Sequence, residues 1–248
     1  MPKLAIVAAL EREVKPLVGD WSSREREHEG RKFKFFEKDD AVLICGGIGA
    51  EAARRATEAV IALYAPGIVY SVGFAGALQP TLKAGDIVIP RRIIDARDNS
   101  SVDTGEGEGV LVTIPSTAGP KQKAQLAVSY GALAADMEAA AVARGAQARG
   151  LRFAAVKAIS DEVDFALPAM ERFIRNGEFD TSGFVLFALL RPWLWPRLAR
   201  LSSNSRRAAH ALCRHLQRVI DEGMIDEPRQ ATPVLAAEAD NLKVAPRR

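Results

Sequence analysis

Eight short runs rich in Val, Ile and Ala, several with no polar residue alternating through them, set the tightest limit on how this chain folds. They fall at 3–10, 32–38, 41–48, 67–75, 86–94, 109–115, 132–137 and 152–160. An alternating strand has one wet face, whereas an unbroken apolar strand must be covered on both. Helix-like stretches lie between the runs. In EAARRATEAVIALYA (51–65), Ala52, Ala56, Ala59, Val60 and Leu63 share a face. EAAAVARGAQARG (138–150) opens on an acid, which suits the positive end of a helix, and closes on Gly150. Strands alternating with helices predict an α/β fold with a mainly parallel sheet. The pair 32–38/41–48, joined at Asp39-Asp40, adds an antiparallel hairpin.

The polar, Gly-rich segment from Asn99 to Gly109 reads as a flexible surface loop. Residues 226–248 mix Pro, Ala and charge without periodicity and read as a flexible tail. With no internal repeat and no linker, the expected organisation is a single domain over 1–225, including a helical extension at 181–222. The two cysteines, Cys45 and Cys213, make no disulfide framework, and His28, His210 and His215 add no zinc ligand set. A cytoplasmic setting is expected. The net charge of +3 is too small to argue for nucleic acid, but Arg191 to Arg218 holds seven arginines and no acid.

Three acidic patches follow apolar runs: Leu10-Glu11-Arg12-Glu13, Asp136-Met137-Glu138 and Ser160-Asp161. In a parallel sheet the carboxyl ends of the strands share one rim, where ligands bind. Carboxylates far apart in sequence then converge, which makes Glu13, Glu138 and Asp161 the candidate chemical groups. Taken singly, each is as readily a helix cap. Gly47-x-Gly49-x-x-Ala52 follows a strand and meets the loosest dinucleotide fingerprint, but the next strand carries no terminal acid for a ribose. The alternative is a tight turn that lets backbone approach a small ligand. Val72-Gly73-Phe74-Ala75-Gly76 repeats the pattern, so two glycine-bearing strand ends predict a floor of backbone. Asp86 reads as a structural turn residue.

GGIGAEAA, SVGFAGALQPTLKAGDIVIP, ADMEAAAVA and AISDEVD, in this order and at these separations, resemble the purine nucleoside phosphorylase/nucleosidase superfamily over about residues 3–165. Within it they look most like the methylthioadenosine/S-adenosylhomocysteine nucleosidase branch. The resemblance implies a three-layer α/β/α fold around a mixed, partly barrelled sheet. It also implies N-glycosidic cleavage without metal or organic cofactor, and a homodimer or higher homo-oligomer. It assigns water activation to Glu13, packing against the sugar to Met137, and capture of the ribose hydroxyls to Glu138. Protonation of purine N7 falls to Asp161. Ile48, Phe74, Ala75 and Gly76 would form the floor, with Ser116 and Thr117 beside the base.

The chemistry is consistent with these roles on its own terms. Cleavage passes through an oxocarbenium-like sugar that carboxylates stabilise, and a purine leaves poorly as an anion unless an acid protonates it. Two first-loop acids, Glu11 and Glu13, would repel phosphate and suit a water-activating base. No arginine precedes Gly73, although phosphorylases of this kind typically carry one there; Arg12 is the one nearby cation expected. Hydrolysis is therefore the first reading and phosphorolysis the second. A non-catalytic nucleoside-binding protein is a third, favoured if Phe74, where a small residue is more usual, fills the pocket. The stretch 113–119 also lacks the aromatic expected to stack on the base.

Residues 184–198 (FVLFALLRPWLWPRL) form an apolar run with paired tryptophans and flanking arginines, too short to span a bilayer. Such a stretch suits either a lipid–water interface or a core or dimer contact. It resembles the hopanoid-associated phosphorylase group, whose members are linked to release of adenine from adenosylhopane. That resemblance implies a lipid-linked nucleoside substrate and a peripheral position on the inner face of the membrane.

Overall fold

The computed structural model describes residues 4–166, 171–175 and 177–222. In chain order the elements are β1 (Leu4–Ala8), α1 (Glu11–Val18), β2 (Ser22–His28), β3 (Arg31–Lys38), β4 (Ala41–Cys45), α2 (Ala50–Tyr64) and β5 (Ile68–Ala77). Next come β6 (Ile87–Val88), β7 (Arg92–Asp95), β8 (Ser101–Asp103), β9 (Val110–Thr113), α3 (Pro120–Tyr130), β10 (Ala134–Asp136), α4 (Ala139–Gln147) and β11 (Arg152–Asp161). A small hairpin, β12 (Ile174–Arg175) and β13 (Glu178–Phe179), leads into α5 (Thr181–Leu189) and the long α6 (Trp195–Asp221). The tail expected at 226–248 lies outside the described residues.

The architecture is a mixed sheet flanked by helices on both faces. The reason is visible along β1, whose five residues are all buried. Leu4, Ile6 and Ala8 pack with α1 and α6, while Ala5 and Val7 pack with α2 and α4. Successive side chains point to opposite faces, so a strand apolar at every position demands a helix layer on each side. On α6, Asn204, Ala208, Leu212, Leu216 and Val219 form a buried stripe at helical spacing. That stripe lies against β5, β11 and α1.

The strand order is β2-β3-β4-β1-β5-β10-β9-β7-β8, with β11 on the other edge of β5 and β6 beyond it. One feature of this order makes the site. β1 runs parallel to β5 from Ile68 to Ser71, whereas β10 runs antiparallel to it at Gly76 and Ala77. β11 occupies the opposite edge of β5 throughout. β1 and β10 therefore approach the same edge from opposite directions and leave Val72 to Ala75 unpaired on that side. This corrects the expectation of one parallel rim: the Asp-Met-Glu segment reaches the site from a reversed strand.

Other differences have local causes. The Asn99–Gly109 segment is not a free loop, because β8 pairs with β7 and Thr104 Oγ1 is bonded to the Pro90 carbonyl at 2.9 Å. The run 86–94 divides into β6 and β7 at Pro90, which has no N–H to donate. β2 (SSREREH) escapes an apolar search because it is a sheet edge with mostly exposed side chains. The hairpin β3/β4 turns at Asp39-Asp40 as expected.

Candidate active site

The gap along β5 opens into a cavity of about 980 Å³. All ten residues singled out from the sequence border it: Glu13, Ile48, Phe74, Ala75, Gly76, Ser116, Thr117, Met137, Glu138 and Asp161. Phe74 packs against the cluster on the α1/α6 side and forms part of the wall rather than filling the space. No cluster of three or more His, Cys, Asp or Glu side chains among the described residues is arranged to hold a metal ion.

Glu13 lies in the first turn of α1, just past the end of β1, and is 6% exposed. Its Oε2 accepts a long bond from the Leu10 N–H at 3.4 Å. Burial pushes its carboxyl up from an ordinary 4.5 to about 7, even though the Lys157 ammonium pulls it down. Glu138 stands at the entrance to α4 and accepts from the Gly49 N–H at 2.8 Å through Oε1. It too is raised to about 7, by burial first and then by the negative charge of Asp136. Gly49 sits at φ 92°, a conformation that favours glycine, so its N–H meets a carboxylate from 89 residues away. The glycine turn is thus a clamp for Glu138, which answers the dinucleotide reading of the same residues.

Glu138 sits at the N-cap of α4 but makes no side-chain capping bond; Asp136 supplies it instead. Its Oδ2 accepts from the Ala139 N–H at 2.8 Å and its Oδ1 from Thr113 Oγ1 at 2.6 Å. Its charge is balanced by Lys157, whose Nζ lies 3.0 Å from Oδ2 and also donates to Ser71 Oγ at 3.0 Å. Lys157 is 1% exposed. A second buried ammonium, Lys123 of α3, lies 2.5 Å from Asp161 Oδ2 and 2.7 Å from the Glu162 carbonyl. Asp161 Oδ1 accepts from Ser160 Oγ at 2.7 Å.

Both lysines were missed in the sequence, yet each left a signal. Lys157 shares a strand face with Phe153, Ala155 and Ile159, where an ammonium requires a buried acid. Lys123 falls three residues before the buried Leu126, on the covered face of α3. Arg12, the cation expected at the site, borders the cavity and lies over the Phe179 ring at 5.6 Å.

The order of these motifs along the chain can now be set against known proteins. A family model described as the phosphorylase superfamily matches residues 3–127 and, in a second segment, 108–183. The chain belongs to the phosphorylase superfamily.

A 5′-methylthioadenosine/S-adenosylhomocysteine nucleosidase of Actinobacillus succinogenes is 29% identical over 201 residues, covering 65% of this superfamily member and 86% of the relative. The same enzyme of Buchnera aphidicola is 46% identical over a shorter stretch of 57 residues, 23% of this chain and 25% of its own. Among solved structures, 5′-methylthioadenosine/S-adenosylhomocysteine nucleosidase of Helicobacter pylori superposes with a TM-score of 0.67 at 17% identity, over 89% of this chain and 98% of its own. Futalosine hydrolase of the same organism gives 0.66 at 17% over the same shares. These structures share the fold of this phosphorylase-superfamily chain.

In this member of the superfamily the packing behind Glu13 is close. Gly73 adopts φ 142°, and a Cβ there would stand 2.9 Å from Glu13 Oε2. Gly73→Ala is expected to shift that carboxylate and to lower turnover by about 10²-fold, the scale of a 1 Å misplacement in an active site. Stability should fall by only ~1–3 kcal/mol, as for overpacking and strain. Paired rate and chemical-denaturation measurements check both parts.

Proposed function

We propose that this protein is a purine nucleosidase, an N-glycosyl hydrolase that releases adenine from an adenosine carrying a bulky apolar group on its 5′ carbon. One observation carries the reading: a single cavity is lined both by the acids and by an apolar vestibule from the C-terminal segment. Glu13 takes a proton from water as the oxygen approaches C1′. Glu138 accepts bonds from the two ribose hydroxyls, Met137 packs against the sugar, and Asp161 passes a proton to N7 of the base. Ile48, Phe74, Ala75 and Gly76 form the floor, and Ser116 and Thr117 lie beside the purine. Water rather than phosphate is favoured because both buried ammonium groups are already engaged by carboxylates, while Glu13 and Glu138 line the cavity with acids suited to a water-activating base.

The vestibule is built by the C-terminal extension. Phe179, Phe184, Val185, Leu189, Trp195 and Leu198 border the cavity. Its volume of about 980 Å³ stands at the top of the range of ~300–1,000 Å³ for small-molecule sites. Of the bordering residues, Val185, Leu189 and Trp195 are exposed, and Leu190 and Trp193 next to them in the chain are exposed as well. Tryptophan and arginine on such a segment suit a lipid–water interface, and no helix among the described residues is long and apolar enough to cross a membrane. A lipid-linked nucleoside of the adenosylhopane kind would enter from a bilayer without passing through water.

The test is a series of 5′-alkylthioadenosines of increasing chain length, assayed for free adenine with and without phosphate. Each methylene buried in the vestibule is worth ~0.8 kcal/mol, so kcat/KM should rise about fourfold per carbon. Flotation with anionic liposomes should carry the protein upward, and Trp193→Ala with Trp195→Ala should reduce that. A flat chain-length profile would remove the apolar substituent from the proposal. Adenine release that needs phosphate and yields ribose 1-phosphate would make the protein a phosphorylase.

A further inference from the structure

We infer that Lys123 supplies, through Asp161, the proton that reaches the purine N7. The inference rests on the nucleosidase reading and adds to it a residue that no motif marks. In the resting site Asp161 accepts from the Lys123 ammonium on one oxygen, at 2.5 Å, and from the Ser160 hydroxyl on the other, at 2.7 Å. Of the two donors on Asp161 only the ammonium is a cationic acid, and Lys123 hands its proton to the oxygen it already touches. Its Nζ is held by two acceptors, Asp161 and the Glu162 carbonyl, and the side chain borders the cavity while being nearly closed to bulk water. Proton delivery and water exclusion thus meet in the same group.

The step balances as follows. An N–H bond of the Lys123 ammonium breaks as an O–H bond forms on Asp161. That O–H bond breaks in turn as N7–H forms, while the electron pair of the C1′–N9 bond passes to the base. The purine leaves neutral and Lys123 is left as an amine. The attacking water adds its oxygen to C1′ and loses a proton to Glu13. Exchange with solvent then removes the proton from Glu13 and returns one to Lys123. Lys123 acts through Asp161 and is a positioning residue for the proton, whereas Asp161 touches the base. A lysine retained only to neutralise or position Asp161 could be replaced by arginine, which keeps the charge.

Two substrates with the same 5′-alkylthio ribose separate these roles: one with adenine as leaving group, the other with 4-nitrophenolate, which departs without a proton. Lys123→Met should slow adenine release by about 10²–10⁴-fold, the usual weight of a general acid, with KM within a few-fold. Nitrophenolate release should change by less than about threefold, and it reports independently that the variant is folded. Lys123→Arg keeps the charge but holds its proton, since guanidinium is not deprotonated in proteins, and should also fail on adenine alone. Equal losses on both substrates in a variant that melts like the wild type, or full adenine release by Lys123→Arg, would overturn the role of Lys123 while leaving the nucleosidase reading intact. Should the methionine variant melt early, the arginine variant decides. A wild-type protein inert on both substrates would overturn the nucleosidase reading and this inference with it.

Discussion

Glu13→Gln is expected to cut adenine release by about 10²–10⁴-fold, the range for loss of a general base, and at the same time to make the protein more stable in alkaline buffer. Both effects come from the same burial. Glu13 is held at about 7 in the fold against an ordinary 4.5, so between those values the native state keeps a proton that the unfolded chain has lost. Its contribution to stability is full below about 4.5 and is lost as pH rises through 7. Glutamine carries no charge to desolvate, and the variant should gain ~3 kcal/mol over wild type at pH 8 and little at pH 4.5, given 1.36 kcal/mol per unit. Denaturant titrations at the two pH values measure this directly. In the active enzyme the same shift predicts that kcat/KM climbs with pH and levels off above about 7, as the base becomes ionised. A Glu13→Gln variant that retained full turnover would remove this residue from the mechanism.

Lys157→Met should be the most destabilising single change near the site. It leaves Asp136 buried with no counter-charge, a situation that costs ~3–5 kcal/mol. The acid retains Thr113 Oγ1 and the Ala139 N–H, which satisfy its oxygens but not its charge. For a domain of this size the loss corresponds to a fall in Tm of roughly 10 °C or more. The double variant Asp136→Asn with Lys157→Met should recover part of it, because the stranded charge is then absent. Lys157 also pulls the Glu13 carboxyl down, so any folded single variant should need a higher pH to reach its plateau rate. Urea titration and a pH–rate profile test the two parts separately. Equal stability of Lys157→Met and wild type would mean that Asp136 is not held as a carboxylate.

The two lysines share a design. Each is fully enclosed, each faces one of the acidic segments, and each reaches it from a distant element: α3 for Asp161 and β11 for Asp136. The site is therefore built from acid–ammonium pairs, with Glu13 and Glu138 as the carboxyls that have no ammonium at ion-pair distance. Burial raises both of them to about 7.

Local sequence was enough to establish the layered α/β class, the hairpin at Asp39-Asp40 and the identity of three acids that meet at one cavity. Period and composition are properties of a few neighbouring residues, and a strand that is apolar at every position admits few packings. The reversed direction of β10, the gap it leaves beside Val72 to Ala75, and the burial of Lys123 and Lys157 were decided by the tertiary structure alone. Strand direction depends on which edge of β5 is free, and that is settled by β1 and β11 together. A lysine in a helix reads as solvated until its counter-ion is known. For Lys123 that counter-ion lies 38 residues away, brought within hydrogen-bond reach only when β11 and α3 close around the same cavity.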